Sequence, residues 1–211
     1  MLFQLDILPN KAKLGIWKIE ETIDELRSQL SEQSLLDSRF LSITNNARKL
    51  EWLSVRLLIK MLCGEEKTLV YNAAGKPSIS DNGFEISISH TKGYVAVLIH
   101  PTKKLGLDIE LRSERALKLK EKFMHPLELA SIDQTQEALH ILLYWSAKET
   151  LFKLMPEEAI DFKEHLHISP FVPTEKESFE ANETRSQNKQ HFTIQYKVFE
   201  DFVLTWTTKL M

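Results

Sequence analysis

The chain reads as an α+β protein made of two halves, and its order of elements says so. Helical periodicity comes first, then strand alternation, then helices again, then strands. That order suggests two α+β halves of similar size, 1–102 and 103–211, meeting between His100 and Lys104. At 211 residues, with 43% apolar and 27% charged side chains, the chain is long enough to bury a full core and too apolar for wholesale disorder.

Residues 2–8 read as a first strand, closed by Pro9 and Asn10. Ile19, Ile23, Leu26 and Leu30 repeat at helical spacing, and 35–41 reads as a second helix. A longer helix is expected over 44–63, with Thr44 or Asn45 as cap, Gly64 as stop and a buried stripe of Leu50, Leu53, Leu57 and Met61. Residues 69–72 form a short strand before the loop 73–77. Residues 84–89 and 94–100 are strand-like, joined by a turn at Thr91, Lys92 and Gly93, and 105–111 follows as another strand.

In the second half, helical sequence covers 113–123, 126–133 and 137–155. Strands are expected at 165–169, 178–181, 191–199 and 202–208, with 175–190 a polar mobile loop holding a weak edge strand. No internal repeat or low-complexity segment occurs.

Composition excludes several classes. A net charge of −3 and a pI of about 6.2 give no footprint for sequence-independent nucleic-acid binding. Cys63 is the single cysteine and sits in an apolar run, which reads as a packed thiol and rules out an internal disulfide or a cysteine-built metal cluster. The first residues lack the basic and apolar segments of a signal peptide, and no apolar run reaches the roughly 20 residues that span a bilayer. The expectation is a soluble, cytoplasmic protein with no membrane partner.

Two segments carry the chemistry. In Gly106-Leu107-Asp108-Ile109-Glu110, period-two alternation projects Asp108 and Glu110 from one strand face. A bare D-x-E is most simply the wet face of a strand, or else a pair of oxygen ligands for Mg²⁺. Glu149 shifts that balance. Around the helix at Trp145-Ser146-Ala147-Lys148-Glu149-Thr150-Leu151-Phe152-Lys153, nearly all of the circumference is apolar. Ser146, Glu149, Thr150 and Lys153 then form a narrow polar stripe that faces something polar inside the protein. An ordinary Glu-to-Lys pair one turn apart contributes only about 0.2–0.5 kcal/mol on an exposed face and is costly to bury alone. Three carboxylates and a cation are the inventory of a hard-metal phosphate site.

The remaining candidates are weaker singly. His90 continues the apolar face of Phe84, Ile86 and Ile88, and its neighbours Ser89 and Thr91 supply donors suited to an anion. Gly75-Lys76-Pro77 is a tight turn, and Arg56 is either a surface cation or a phosphate clamp. His165 and His167 alternate on a strand without acidic or cysteine partners, a poor metal site. Phosphate-loop, dinucleotide, zinc-protease and nucleophile-elbow motifs are absent from the sequence.

In order, Gly75-Lys76-Pro77, Ser87-Ile88-Ser89-His90, the segment 106–110 and the segment 145–153 resemble the recurrent motifs of 4′-phosphopantetheinyl transferases of the long, surfactin-synthetase-activating type. Those motifs are G-K-P, S-x-S-H or N-x-S-H, G-[IVL]-D-[IVL]-E and W-[ST]-x-K-E-x-x-x-K; serine at 87 replaces the commoner asparagine. The resemblance covers 75–153 and leaves the C-terminal strands unmatched. It implies a pseudo-dimer of two similar α+β halves with the active site in the cleft between them, and a monomer as the default state. It also implies transfer of 4′-phosphopantetheine from coenzyme A to a serine of an apo acyl or peptidyl carrier protein, releasing adenosine 3′,5′-bisphosphate.

By that resemblance, Asp108, Glu110 and Glu149 hold Mg²⁺, or Mn²⁺ in its place, against the pyrophosphate. Glu149 is the base for the serine hydroxyl, directly or through water, and Lys153 neutralises and can protonate the leaving bisphosphate. Lys76, Ser89, His90 and Arg56, with Lys153, bind the phosphates of coenzyme A, while Trp145 and Phe152 pack the helix. Two rival readings use the same residues. One is a metal-dependent phosphohydrolase acting on coenzyme A-like pyrophosphates; the other is a non-catalytic carrier-binding module.

Overall fold

The computed structural model describes residues 1–155, 160–174, 176–187 and 189–208. It divides into two compact units, Met1–Thr102 and Lys103–Met211. Each unit combines an antiparallel sheet with one long helix, so the architecture is α+β.

In the N-terminal unit, β1 (Leu2–Ile7) and β2 (Lys13–Lys18) lead into the short helices α1 (Ile23–Arg27), α2 (Glu32–Leu35) and α3 (Ser38–Ser42). The long α4 (Asn46–Cys63) follows, then a small β3 (Leu69–Tyr71) and β4 (Pro77–Ile79) ladder, and the hairpin β5 (Glu85–Thr91) and β6 (Tyr94–His100). The main sheet runs β1-β2-β6-β5. Sequence reasoning missed β2. Its four central residues, Leu14 to Trp17, are all buried, so no alternation marks it as a strand. Gly15 lies on this strand because α4 presses close there: a Cβ would stand 2.6 Å from Leu58 Cδ1.

α4 begins where expected. Asn45 Oδ1 accepts the Arg48 N–H at 3.0 Å, and Gly64 ends the helix at φ 82°. Its buried side is rotated from the expected stripe. Leu53, Leu57, Leu58, Ile59 and Leu62 are buried, whereas Met61 is exposed. The expected helix over 19–30 shrinks to α1, held by a capping box between Thr22 and Glu25. The one expected at 35–41 is instead the pair α2 and α3.

The C-terminal unit opens on β7 (Leu105–Leu111), followed by α5 (Arg115–Phe123), α6 (Pro126–Ala130) and, after a 3₁₀ turn at Gln134–Gln136, α7 (Glu137–Phe152). Then come α8 (Phe162–His165), β8 (Leu166–Ile168), β9 (Lys176–Glu183), β10 (His191–Val198) and β11 (Phe202–Thr208). The sheet order is β7-β11-β10-β9-β8, all antiparallel. α7 lies across β7 and β11. Ile141, Leu143, Tyr144, Ala147 and Leu151 join Phe179, Phe192, Ile194 and Tyr196 in one core cluster.

β9 corrects the expectation of a loop with a weak edge strand at 175–190. It is eight residues long and internal, paired with β10 on one side and β8 on the other. Its buried positions Phe179, Ala181 and Glu183 alternate with polar ones, and the acid at 183 hid that alternation. Glu183 is buried because the Ser186 N–H and hydroxyl both donate to it. Positions 175 and 188 of that stretch lie outside the described residues. Among the described residues, no helix is long and apolar enough to cross a membrane.

Candidate active site

β7 shows its even-numbered face to α7, and three residues of that face, Gly106, Asp108 and Glu110, meet the helix. At Gly106 a Cβ would stand 2.0 Å from the Thr150 carbonyl oxygen, so backbone approaches backbone and only glycine fits. One pleat along, Asp108 is 4% exposed and meets Ser146 of α7 and Lys153 at its C-terminal cap. Its Oδ2 accepts the Ser146 hydroxyl at 2.8 Å, and its Oδ1 accepts Lys153 Nζ at 3.0 Å. Lys153 also donates to the Leu107 carbonyl at 2.7 Å. At the next pleat Glu110 Oε1 accepts the Trp145 indole N–H at 2.7 Å. The acidic face is therefore covered by the helix, and the simple reading of a wet strand face is wrong.

The neighbouring strand supports the helix from below. Thr205 pairs with Asp108 across the β7–β11 ladder. Its Oγ1 donates to the Ser146 carbonyl at 2.9 Å and lies 2.6 Å from Thr150 Oγ1. The polar stripe of α7 thus has polar partners, and Lys153 has Asp108 for its ion-pair partner.

Glu149 is the odd member. Among the described residues its carboxyl group makes no hydrogen bond or salt bridge, and its acidity is the most altered in the site. Burial pushes its pKa up from 4.5 to about 7; Asp108 and Glu110 add to the rise and Lys153 opposes it. Glu110 is raised for the same reasons, burial first and Asp108 second, against the Trp145 hydrogen bond and the charges of Lys153 and Arg115. Asp108, Glu110 and Glu149 therefore share one electrostatic environment in which negative charge exceeds positive. No group of three His, Cys, Asp or Glu side chains among the described residues is drawn together as a ready metal cage. The donor chemistry still fits Mg²⁺, which takes one or two carboxylates and completes its shell with phosphate oxygens and water.

The candidates on the N-terminal unit separate. Arg56 is buried, its guanidinium 3.7 Å from the Trp52 ring centroid, 3.3 Å from the Tyr71 hydroxyl and 3.7 Å from Asp37. It is not the surface cation that its simplest reading makes it. His90 is exposed on β5, contacting Arg48 and lying 3.2 Å from Glu51 Oε2. Arg56, His90, Arg48 and Tyr71 line one cavity of about 170 Å³ together with Gly75 and Pro77. Lys76 and Ser89 stand outside that lining: Lys76 is exposed on its turn, its N–H bonded to Asn72 Oδ1 at 2.8 Å, and Ser89 is buried opposite Ala96. Sequence reasoning missed Arg48, a cation in the first turn of α4, two turns before Arg56. It also gave Trp145 a packing role only, and passed over Ser146 as a holder of Asp108.

The C-terminal unit is thus an antiparallel α+β domain whose sheet and longest helix enclose an acid-rich, lysine-bearing site. Residues 104–207, from β7 into β11, match the family model of the 4′-phosphopantetheinyl transferase superfamily. No curated protein matches the chain.

Proposed function

We propose that the protein transfers 4′-phosphopantetheine from coenzyme A to a serine of an acyl or peptidyl carrier protein, in the manner of the surfactin-synthetase-activating type. The observation that carries this reading is buried Asp108 held by Ser146 and Lys153, with Glu110 one pleat along and Glu149 on the covering helix, inside the stretch that matches the superfamily. Phosphoryl-group transfer asks a protein for positioning and charge neutralisation above all. Asp108, Glu110 and Glu149 would hold Mg²⁺, which when bound polarises a pyrophosphate and neutralises charge on the leaving group.

The chain's own groups do the rest. With its pKa near 7, Glu149 exchanges a proton close to neutral pH, the range in which a general base for a serine hydroxyl works best. Lys153, anchored on the Leu107 carbonyl and on Asp108, places a fixed cation beside the acids, suited to the negative charge of a departing bisphosphate. On the N-terminal unit, Arg56 and His90 supply a cation and a ring donor to one cavity; Lys76 and Ser89, outside its lining, are assigned to the phosphates of coenzyme A by the motif resemblance alone.

Mass spectrometry tests this reading. An apo carrier protein incubated with the chain, coenzyme A and Mg²⁺ is expected to gain the mass of phosphopantetheine, and a carrier with its serine replaced is not. Release of 4′-phosphopantetheine into solution with no carrier modified would point instead to a phosphohydrolase. Binding of coenzyme A without any turnover would point to a binding module.

A further inference from the structure

Beside the acids, on the face of α7 turned from β7, lies a second ionic cluster that the proposed chemistry does not use. Lys148 is completely buried, and its ammonium has three acceptors: Glu128 Oε2 at 2.7 Å, the Phe123 carbonyl at 2.9 Å and the Phe162 carbonyl at 2.9 Å. Glu128, 4% exposed, is satisfied in turn by the Ile168 N–H on Oε1 and the His125 N–H on Oε2, both at 2.8 Å. One lysine thus ties α7 to the end of α5, to α6 and to α8, and its partner carries the tie to β8.

Stability alone is a poor reason for this arrangement, since apolar residues of similar volume often replace a buried ion pair at no cost. The two carbonyls that Lys148 holds give a better one. They belong to Phe123 and Phe162, and the rings of those two residues flank Trp145, at centroid distances of 5.1 Å and 5.7 Å. Trp145 is the residue whose indole N–H bonds Glu110 at 2.7 Å. The path from Lys148 to the acid site runs through two backbone oxygens, two aromatic rings and one indole donor.

We propose that Lys148 is a positioning residue of the site: by fixing the Phe123 and Phe162 backbones it sets the Trp145 ring, and through it the orientation of Glu110. The inference rests on the proposed function only for its effect on turnover. The position of the indole is observable without coenzyme A, carrier or metal.

The test follows the ¹⁵N–¹H resonance of the Trp145 indole, assigned with Trp145→Phe, in the full chain. In the double variant Lys148→Met with Glu128→Gln, which leaves no buried charge unpaired, the indole resonance is expected to shift and broaden. In a transfer assay kcat is expected to fall about ten- to a hundredfold, with the KM for coenzyme A unchanged. Glu128→Gln alone keeps the lysine on both carbonyls and is expected to leave the indole resonance in place, which also decides the matter should the double variant not fold. The proposal is overturned if the folded double variant keeps the wild-type indole resonance, or if Glu128→Gln by itself displaces it. A displaced indole in a chain that modifies no carrier would uphold the positioning role and reject the transferase reading.

Discussion

Lys153 reaches across to Asp108 on the facing strand, 3.0 Å away, and does not pair with Glu149 one helical turn behind it. The sequence spacing suggests the opposite pairing, because residues four apart are neighbours on a helix. Lys153 caps the end of α7, and from there its stem carries the ammonium to the Leu107 carbonyl as well. Glu149 is left as an acid without an ion-pair partner among the described residues.

Removing the cation should therefore act on both acids. Lys153→Met removes the ammonium from Asp108 Oδ1 and takes away a charge that lowers the Glu149 pKa. Carrier modification is expected to fall at least a hundredfold in kcat/KM, the scale of losing one fixed charge-stabilising group. A loss under about threefold would remove Lys153 from the chemistry.

The raised acidity of Glu149 has a stability consequence whose sign is fixed. Its folded pKa of about 7 lies above its ordinary 4.5, so between those values the folded chain binds this proton more tightly than the unfolded chain. Ionised Glu149 opposes folding above pH 7, and that opposition disappears as pH falls from 7 to 4.5. Glu149→Gln is expected to stabilise the C-terminal unit at pH 8 by about 1–2 kcal/mol, after allowance for screening, while abolishing transfer. Chemical denaturation of both chains at pH 8 and pH 5 checks it; the gain should shrink to about a quarter at the lower pH.

Much of this site was legible before any coordinates. Alternation at 105–111 put Asp108 and Glu110 on one face, and the nearly all-apolar circumference of α7 marked its polar stripe as internal. What periodicity cannot show is which side chain across the gap answers which. Trp145 looked like packing because an indole is mostly apolar surface, yet its N–H is an obligatory donor once half-buried, and Glu110 accepts it. In the fold, the losses came where burial is two-sided or polar. β2 has no wet face to betray it, and β9 places an acid at an inward position. The short helices α1, α2 and α3 depend on their caps at Thr22, Ser31 and Asp37, which a search for apolar period overlooks.

Gly106 makes a sharp packing prediction. With the Thr150 carbonyl oxygen 2.0 Å from where a Cβ would sit, Gly106→Ala must push α7 off β7. A loss of about 3 kcal/mol or more is expected, at the upper end of single-residue effects. Urea unfolding measures it, and an unchanged midpoint would contradict the close approach of strand and helix.

A separate acid sensitivity belongs to His140. It is fully buried, its Nδ1 accepts the Asp133 N–H at 3.0 Å, and its Nε2 has no hydrogen-bond partner among the described residues. Burial lowers its pKa below 6.5, with Asp133 opposing. The neutral ring contributes stability that is fully present above pH 6.5 and lost as pH falls through the depressed folded value. His140→Phe is expected to flatten the acid limb of the C-terminal unit's stability below pH 6.5, measured by thermal unfolding over a pH series. An identical limb in the variant would assign it to other groups.

If Asp108, Glu110 and Glu149 act as one cluster of negative charge, a cation should relieve it. The most direct measurement is the titration of the Glu149 side-chain carboxyl by ¹³C NMR, in the chain alone, with Mg²⁺ added, and in Asp108→Asn. The expected midpoint is about 7 in the chain alone, falling with Mg²⁺ and falling in the variant. A midpoint near 4.5 that neither Mg²⁺ nor the substitution moves would contradict it.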